Sequence, residues 1–296
     1  MNATGATLDS LGLTGLDHVG PAPDPATPVA GLAVDSREVK DGFVFIAVPG
    51  TRLDGASFAQ YAIRQGAVAV LATPEGANTI RADTGSLPVT VFTTLEPRAE
   101  LARLAASFHG VQPRTMVAVT GTNGKTSVAQ FTRQIWQALG HRAAAFGTTG
   151  VEGKGFEEPL AMTTPEPITL HKALAEMAKA GITHAAMEAS SHGLAQRRVD
   201  GVRVQAAGVT NLSQDHLDYH SDFEDYFAAK AGLFDRVLSE DGTAVINIDD
   251  AWGPRMMQVA EDRGQDVLTV GRSADAAIQI LGQRYDATGQ ELRFEW

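Results

Sequence analysis

The sequence predicts an α/β protein: a small N-terminal α/β domain followed by a P-loop-type, mostly parallel sheet flanked by helices. Three observations carry this reading. Short apolar runs alternate with helix-period segments from about residue 31 onward. A glycine-rich loop, Gly121 to Thr126, joins a strand to a helix. A break at Gly110 to Pro113 separates the two parts.

Taken in order, residues 1–30 are rich in Gly, Pro, Asp and Thr and read as a loosely structured N-terminus with one short helix around Leu8 to Leu13. Residues 31–110 read as the small domain. Strands are expected at Val44–Val48, Ala67–Ala72 and Val89–Thr93, with a helical stretch near Ser57–Arg64. Pro97 opens a helix whose Leu101, Leu104, Ala105 and Phe108 recur at helical spacing, and Gly110 closes it as a connector. Residues 111–296 form the larger part. Strands are expected at Met116–Thr120, His184–Glu188, Ala206–Thr210, Ala244–Ile248 and Glu291–Trp296. Helices are expected at Ser127–Leu139, Thr169–Ala180 and Phe223–Phe234. In such a sheet, ligands bind at the carboxyl ends of the strands.

Composition narrows the function. A net charge of -11 opposes nucleic acid or anionic lipid as the main partner, so any phosphate site must be local. The 296 residues contain no cysteine, which removes disulfides, thiolate nucleophiles and Cys-type zinc sites. The first thirty residues carry Asp9, Asp17, Asp24 and four prolines, with neither a basic segment nor an apolar run, so a cytoplasmic protein without membrane insertion is expected.

Val119-Thr120-Gly121-Thr122-Asn123-Gly124-Lys125-Thr126 has the strand–loop–helix context of a phosphate loop. Glycines let backbone N–H groups close around phosphate oxygens, and the helix N-terminus adds positive potential. Lys125 supplies a point charge, and Thr126 offers a hydroxyl to magnesium. Val119 stands where the general pattern has its first glycine.

That variant, TGTNGKT, resembles the loop of Mur ligases and folylpolyglutamate synthetases. Further stretches resemble the Mur ligase family, MurE type: Val34-Asp35-Ser36-Arg37, Glu188 to Gly193 with Gln196 to Val199, Thr210 to His220, and Tyr226 to Lys230. The D-S-R segment and Ser127 after GKT disfavour the folate enzymes.

The resemblance implies an ATP-dependent acid–amino-acid ligase of peptidoglycan synthesis, a cell-wall enzyme. It would add meso-diaminopimelate or L-lysine to UDP-MurNAc-L-Ala-D-Glu through an acyl phosphate, with ATP and Mg2+. Residues 31–110 become the UDP-substrate-binding domain and 111–296 the ATP-binding central domain. The family's C-terminal amino-acid-binding domain is absent, so a fragment without turnover of its own is expected. The alternatives are a nucleotide- or UDP-sugar-binding module without turnover, or another ligase of the Mur or folylpolyglutamate type.

The resemblance assigns Gly121, Thr122, Asn123, Gly124, Lys125, Thr126 and Asn211 to the nucleotide. Thr126, Glu188, His216 and Lys230, the last as a carbamate, go to magnesium, and Lys125, Glu188, His216 and Lys230 to catalysis. Val34, Ser36, Thr51, Arg52 and Leu53 go to the uridine end of the acceptor; Thr163, Thr164, Ser190, Gln196 and Arg198 go to its sugar and diphosphate. Asp215 reads either as support for the site or as a turn residue, and His192 as structural. Met162 stands where some relatives have asparagine. Helical position alone would put Lys230 on a solvated face.

Overall fold

The computed structural model describes residues 5–50, 53–213 and 219–296. The chain divides into two compact units. One runs to Gly110 and takes in Pro167–Lys172; the other comprises Val111–Glu166 and Ala173–Trp296.

The first unit is built on strands β1 (Asp17–Val19), β2 (Gly31–Ala33), β3 (Phe43–Ile46), β4 (Ala69–Ala72) and β5 (Thr90–Thr93), with helices α1 (Ala59–Arg64), α2 (Pro74–Thr84) and α3 (Pro97–His109). The sheet order is β1-β5-β4-β3-β2, parallel except for the antiparallel edge strand β1. Alternate residues of each strand feed opposite faces. Val44, Ile46, Leu71 and Phe92 join one buried cluster with Leu101 and Leu104 of α3, while Phe45, Val70 and Val91 join another with Ala59, Ala62 and Ile80.

The N-terminal segment corrects one expectation. Leu8, Leu11 and Leu13 are buried in the first of those clusters. The segment is therefore packed, and in place of a helix over Leu8–Leu13 it makes turns followed by one 3-10 turn at Leu13–Gly15. Its polar and glycine-rich composition concealed three leucines that together lose enough water contact to fix the segment.

The second unit holds β6 (Thr115–Thr120), α4 (Lys125–Ala138), β7 (Ala143–Gly147), β8 (Gly150–Gly153), β9 (Phe156–Glu158), the part of α5 (Pro167–Lys179) that follows Lys172, β10 (His184–Glu188), α6 (Ser191–Ala195) and β11 (Val204–Val209). It continues with α7 (Phe223–Gly232), β12 (Leu238–Asn247), α8 (Gly253–Asp262), β13 (Asp266–Gly271), β14 (Ile278–Asp286) and β15 (Gly289–Glu295). Its ten strands run β15-β14-β13-β12-β11-β6-β10-β7-β8-β9. The seven from β14 to β7 are parallel, and antiparallel hairpins finish both edges. The mixed α/β class, with mostly parallel sheets flanked by helices, is that expected from the sequence.

The order β11-β6-β10 places the switch in chain direction at β6, since the chain leaves β6 toward β7 on one side and later reaches β11 on the other. The crevice above the carboxyl ends of β10, β6 and β11 is where such a sheet binds ligands. The inner strands are rich in small residues: Ala143, Ala144 and Ala145 of β7 and Ala185 and Ala186 of β10 are buried, and Ala129 of α4 packs with Ala145 and Ala186. Among the described residues, no helix is long and apolar enough to cross a membrane.

Candidate functional site

The loop after β6 is shaped by its neighbour β11. Gly121 has φ 136°, and a Cβ there would lie 1.9 Å from Thr210 Oγ1, so any side chain would collide with the adjoining strand end. Thr210 Oγ1 donates to the Asn123 carbonyl at 2.7 Å. The N–H of Thr122 donates to the Asn211 carbonyl at 2.8 Å. Gly124, φ 87°, caps α4 and turns the chain into the helix. Lys125 and Thr126 stand in the first helical turn, where backbone N–H groups have no partner within the helix and the helix dipole is positive.

Two lysines meet at this loop. Lys125 Nζ donates to the carbonyls of Gly121 at 2.9 Å and Thr122 at 2.8 Å. Lys230 Nζ donates to the Gly121 carbonyl at 2.7 Å and lies 4.6 Å from the centre of the Tyr226 ring. Lys230 is 1% exposed. The solvated face that helical position alone suggests is thereby corrected: α7 turns this lysine inward, and buried ammonium groups persist only where acceptors meet them.

Glu188 ends β10 beside Val119 of β6 and is 2% exposed. Its carboxylate takes two hydrogen bonds from Thr148, the backbone N–H to Oε1 at 2.9 Å and the hydroxyl to Oε2 at 3.3 Å. Among the described residues no cation pairs with it. Gly147 makes the room, since a Cβ there would fall 2.0 Å from Glu188 Oε1. A buried carboxylate with two neutral donors and lone pairs to spare is a ready oxygen ligand for a cation. The described residues contain no cluster of three His, Asp or Glu able to hold a metal by themselves.

Several residues expected to face ligand also make hydrogen bonds within the chain. Asn211, expected at the nucleotide, spends both ends of its amide on Asn123, Oδ1 accepting from the backbone N–H and Nδ2 donating to the carbonyl, each at 3.1 Å. Thr164 is buried; its hydroxyl donates to the Glu188 carbonyl at 3.1 Å and accepts from the Ser190 N–H at 3.1 Å. Ser190 caps α6, its hydroxyl accepting from the Gly193 N–H at 3.1 Å. These three position the site through its backbone.

Others remain at the surface of the second unit. Thr163 Oγ1 is 3.1 Å from Thr148 Oγ1. Arg198 donates to the Thr164 carbonyl at 2.7 Å and, through Nη2, to Gln196 Oε1 at 2.7 Å; Gln196 in turn donates to the Tyr219 hydroxyl at 3.0 Å. Met162 Sδ accepts from Arg198 at 3.3 Å, so the position occupied by asparagine in some relatives supports the guanidinium here. The preceding Arg197 has φ 60°, the one non-glycine residue with positive φ among those described, and this turn brings Arg198 back over Thr164. The His192 ring lies tilted against Tyr219, centroids 4.0 Å apart, within a ring cluster that continues through His220 to Tyr226.

In the first unit, Val34 is half-buried, Ser36 is buried, and Leu53 is 64% exposed. Asp35 accepts from the Arg37 backbone N–H at 2.9 Å and pairs with its guanidinium at 2.5 Å. Those bonds, the guanidinium's first, lower the Asp35 pKa from 3.8 to about 2. Thr51, Arg52, Asp215 and His216 lie outside the described residues.

Two partners were not anticipated from the sequence. Thr148 is the only donor to the Glu188 carboxylate among the described residues, and Tyr226 places its hydroxyl 3.0 Å from Thr122 Oγ1. The Thr148-Thr149 pair closing β7 on the crest side was a usable signal for the first. The second had none beyond the buried face of α7.

A glycine-rich strand-to-helix loop at the switch of a parallel sheet, with a buried lysine bonded to it and a buried carboxylate ending the adjoining strand, is the architecture of a nucleotide-binding class of α/β domain. Residues 119–295 match the Mur ligase middle domain, and residues 28–109 match the Mur ligase family, catalytic domain. The chain belongs to the Mur ligase family.

It is 53% identical over 247 residues to the UDP-N-acetylmuramoyl-L-alanyl-D-glutamate–2,6-diaminopimelate ligase of Mesorhizobium japonicum, covering 83% of this chain and 50% of that protein. It is 44% identical over 275 residues to the enzyme of the same name from Bradyrhizobium diazoefficiens, covering 91% and 55%. A solved structure of a UDP-N-acetylmuramoyl-L-alanyl-D-glutamate–2,6-diaminopimelate ligase superposes with TM-score 0.82 at 30% identity, over 99% of this chain and 57% of that one. MurF ligase from Thermotoga maritima, solved with ADP, shares the fold at TM-score 0.53 and 20% identity, over 91% and 56%. The chain spans about half the length of the curated relatives it matches.

Proposed function

We propose that this chain provides the UDP-substrate-binding and ATP-binding parts of an ATP-dependent ligase that joins 2,6-diaminopimelate to UDP-MurNAc-L-Ala-D-Glu. The observation that carries the proposal is Glu188, a buried carboxylate with no cationic partner among the described residues, at the same sheet crest as the phosphate loop. The substrates are those named for the similar ligases of Mesorhizobium japonicum and Bradyrhizobium diazoefficiens.

ATP supplies the phosphoryl group that activates the acceptor carboxylate, and magnesium neutralises charge between the two anions. Lys125 and the first turn of α4 bind the phosphates. Thr126, Glu188, His216 and Lys230, the last as a carbamate, are the proposed magnesium holders. The Gly121 turn keeps the loop close to Thr210 and excludes bulk there. Arg198, braced by Thr164 and Gln196, offers a planar fork to the acceptor's diphosphate. Val34, Ser36, Thr51, Arg52 and Leu53 serve the uridine end.

Calorimetry tests the reading. Mg-ATP should bind the chain, and Glu188→Gln should abolish the dependence of that binding on magnesium while ATP alone binds as before. UDP-MurNAc-L-Ala-D-Glu should bind and Arg198→Ala should weaken it. A folded chain that binds neither ligand, or a Glu188→Gln variant with unchanged magnesium dependence, refutes the proposal.

A further inference from the structure

The opposite end of the same strands carries a second group of cations. At the amino ends of β7 and β10 lies a cleft of about 590 Å³ whose lining includes Gln137, His141, Arg142, Lys154 and Ile182 and no carboxylate. That size suits a small molecule. In a chain of net charge -11, a cleft lined by Arg142, Lys154 and an imidazole is a local reversal of sign. No carboxylate pairs with Arg142 or Lys154 among the described residues.

The cleft is held in shape by contacts that do not consume these charges. The His141 ring stacks on His184 at 4.1 Å, and His184 is braced on Trp136 of α4 at 5.1 Å. His184 is buried, and Thr183 Oγ1 lies 2.9 Å from its Nδ1. Burial lowers the His184 pKa, and the positive potential of His141 and then Arg114 adds to the effect. Arg142 uses Nη2 on the Ala180 carbonyl at 2.7 Å. Its Nη1 passes over Gly181, φ 83°, where a Cβ would stand 3.2 Å away. One hydrogen bond thus orients the guanidinium while its remaining donors can face an anion.

We propose that this cleft is a second anion site, separate from the phosphate loop, that takes a small phosphate-bearing molecule. A phosphoryl group offers negative charge and several acceptor oxygens to the two cations that line the cleft, with Arg142 supplying a fork and Lys154 a point charge. The His141–His184 pair supplies a flat wall beside them. The site has a direct line to the proposed catalytic crest. β10 begins at His184 and ends at Glu188, and β7 begins at Ala143, in the cleft lining, and ends at Gly147, against Glu188. Five residues of strand, roughly 15 Å, separate the two ends.

The test uses pyrophosphate as probe, in a Lys125→Ala background that weakens the phosphate loop, and reads the ring signals of His141 and His184 by NMR. His141→Gln assigns the signals. Both rings should shift in a saturable way, and Lys154→Gln and Arg142→Gln should each weaken the apparent affinity roughly tenfold. Lys154→Arg should retain binding, which separates a charge effect from a disturbed fold. Ring signals that do not move with pyrophosphate overturn the proposal. So do shifts reproduced by sodium chloride at equal ionic strength, or shifts unchanged in both Lys154→Gln and Arg142→Gln. Equal binding of succinate refutes the phosphate class, and inorganic phosphate binding as tightly as pyrophosphate confines the site to a single phosphoryl group.

Discussion

Lys125 Nζ and Lys230 Nζ both donate to the same oxygen, the Gly121 carbonyl, at 2.9 and 2.7 Å. Two ammonium groups on one carbonyl repel each other at short range, one of them in a buried position where the repulsion is poorly screened. Lys230→Met keeps the volume and removes one charge. Its stability in denaturant should stay within about 1 kcal/mol of the parent or rise, while calorimetry should show weaker Mg-ATP binding. A loss above roughly 3 kcal/mol would mean the lysine is held for stability.

Gly147 and Glu188 form a tight steric pair in the candidate site, where a Cβ on the glycine would fall 2.0 Å from Glu188 Oε1. Gly147→Ala should cost about 1–3 kcal/mol by overpacking and displace the carboxylate. Adding Glu188→Ala to it should return part of that loss, because the clash is with this side chain. A double-mutant cycle in denaturant measures the coupling, and additive losses would show that the methyl strikes something else.

Asp35 carries a pH dependence. Its folded pKa, about 2, lies below the ordinary 3.8, so the stabilisation is complete above about pH 4 and is lost as pH falls through about 2. Asp35→Asn keeps the shape and cannot ionise. The stability gap between parent and variant should therefore narrow as pH falls from 4 toward 2, and a gap constant over that window would remove Asp35 from the account.

Arg198 bonds two acceptors that face it from different segments, the Thr164 carbonyl and Gln196 Oε1. Lysine cannot span both in one plane. Arg198→Lys should weaken UDP-MurNAc-L-Ala-D-Glu binding about tenfold with Mg-ATP binding unchanged. Equal loss for both ligands would mean that the arginine supports the whole crest.

Tyr226 reaches the loop from α7, its hydroxyl 3.0 Å from Thr122 Oγ1. Thr122 Oγ1 also accepts from the Ser213 N–H at 2.9 Å, so Tyr226→Phe leaves it one partner. The expected cost is about 1 kcal/mol, with faster amide exchange at Thr122 and Asn123. Exchange that stays at parental rates would show that Thr210, Asn211 and Ser213, just beyond β11, hold the loop without the tyrosine.

The sequence was most legible where a strand has sharp punctuation. β10 runs His184–Glu188 as read, because Gly181 precedes it and Ser190 opens the next helix. Helix α2 went unread despite Thr73 at its cap and Pro74 in its first turn, since its interior carries few apolar residues beyond Ala77 and Ile80. The hairpin β8–β9 was hidden by its shortness. Site chemistry was legible as motif but not as geometry. The acceptor that buries Lys230 lies 109 positions away at Gly121, a distance periodicity cannot register. Likewise nothing local shows that the Thr164 and Ser190 hydroxyls are spent on backbone groups.

The alanines of β7 and β10 have a consequence for the history of the fold. Ala144, Ala145 and Ala186 are buried in a close-packed interior, so enlarging one of them is expected to cost stability unless a neighbour shrinks. The outer hairpin β14–β15 has mostly exposed side chains and carries no such restraint. Sequence divergence within this fold is therefore expected to run at two speeds, slow beside β6 and fast at that rim.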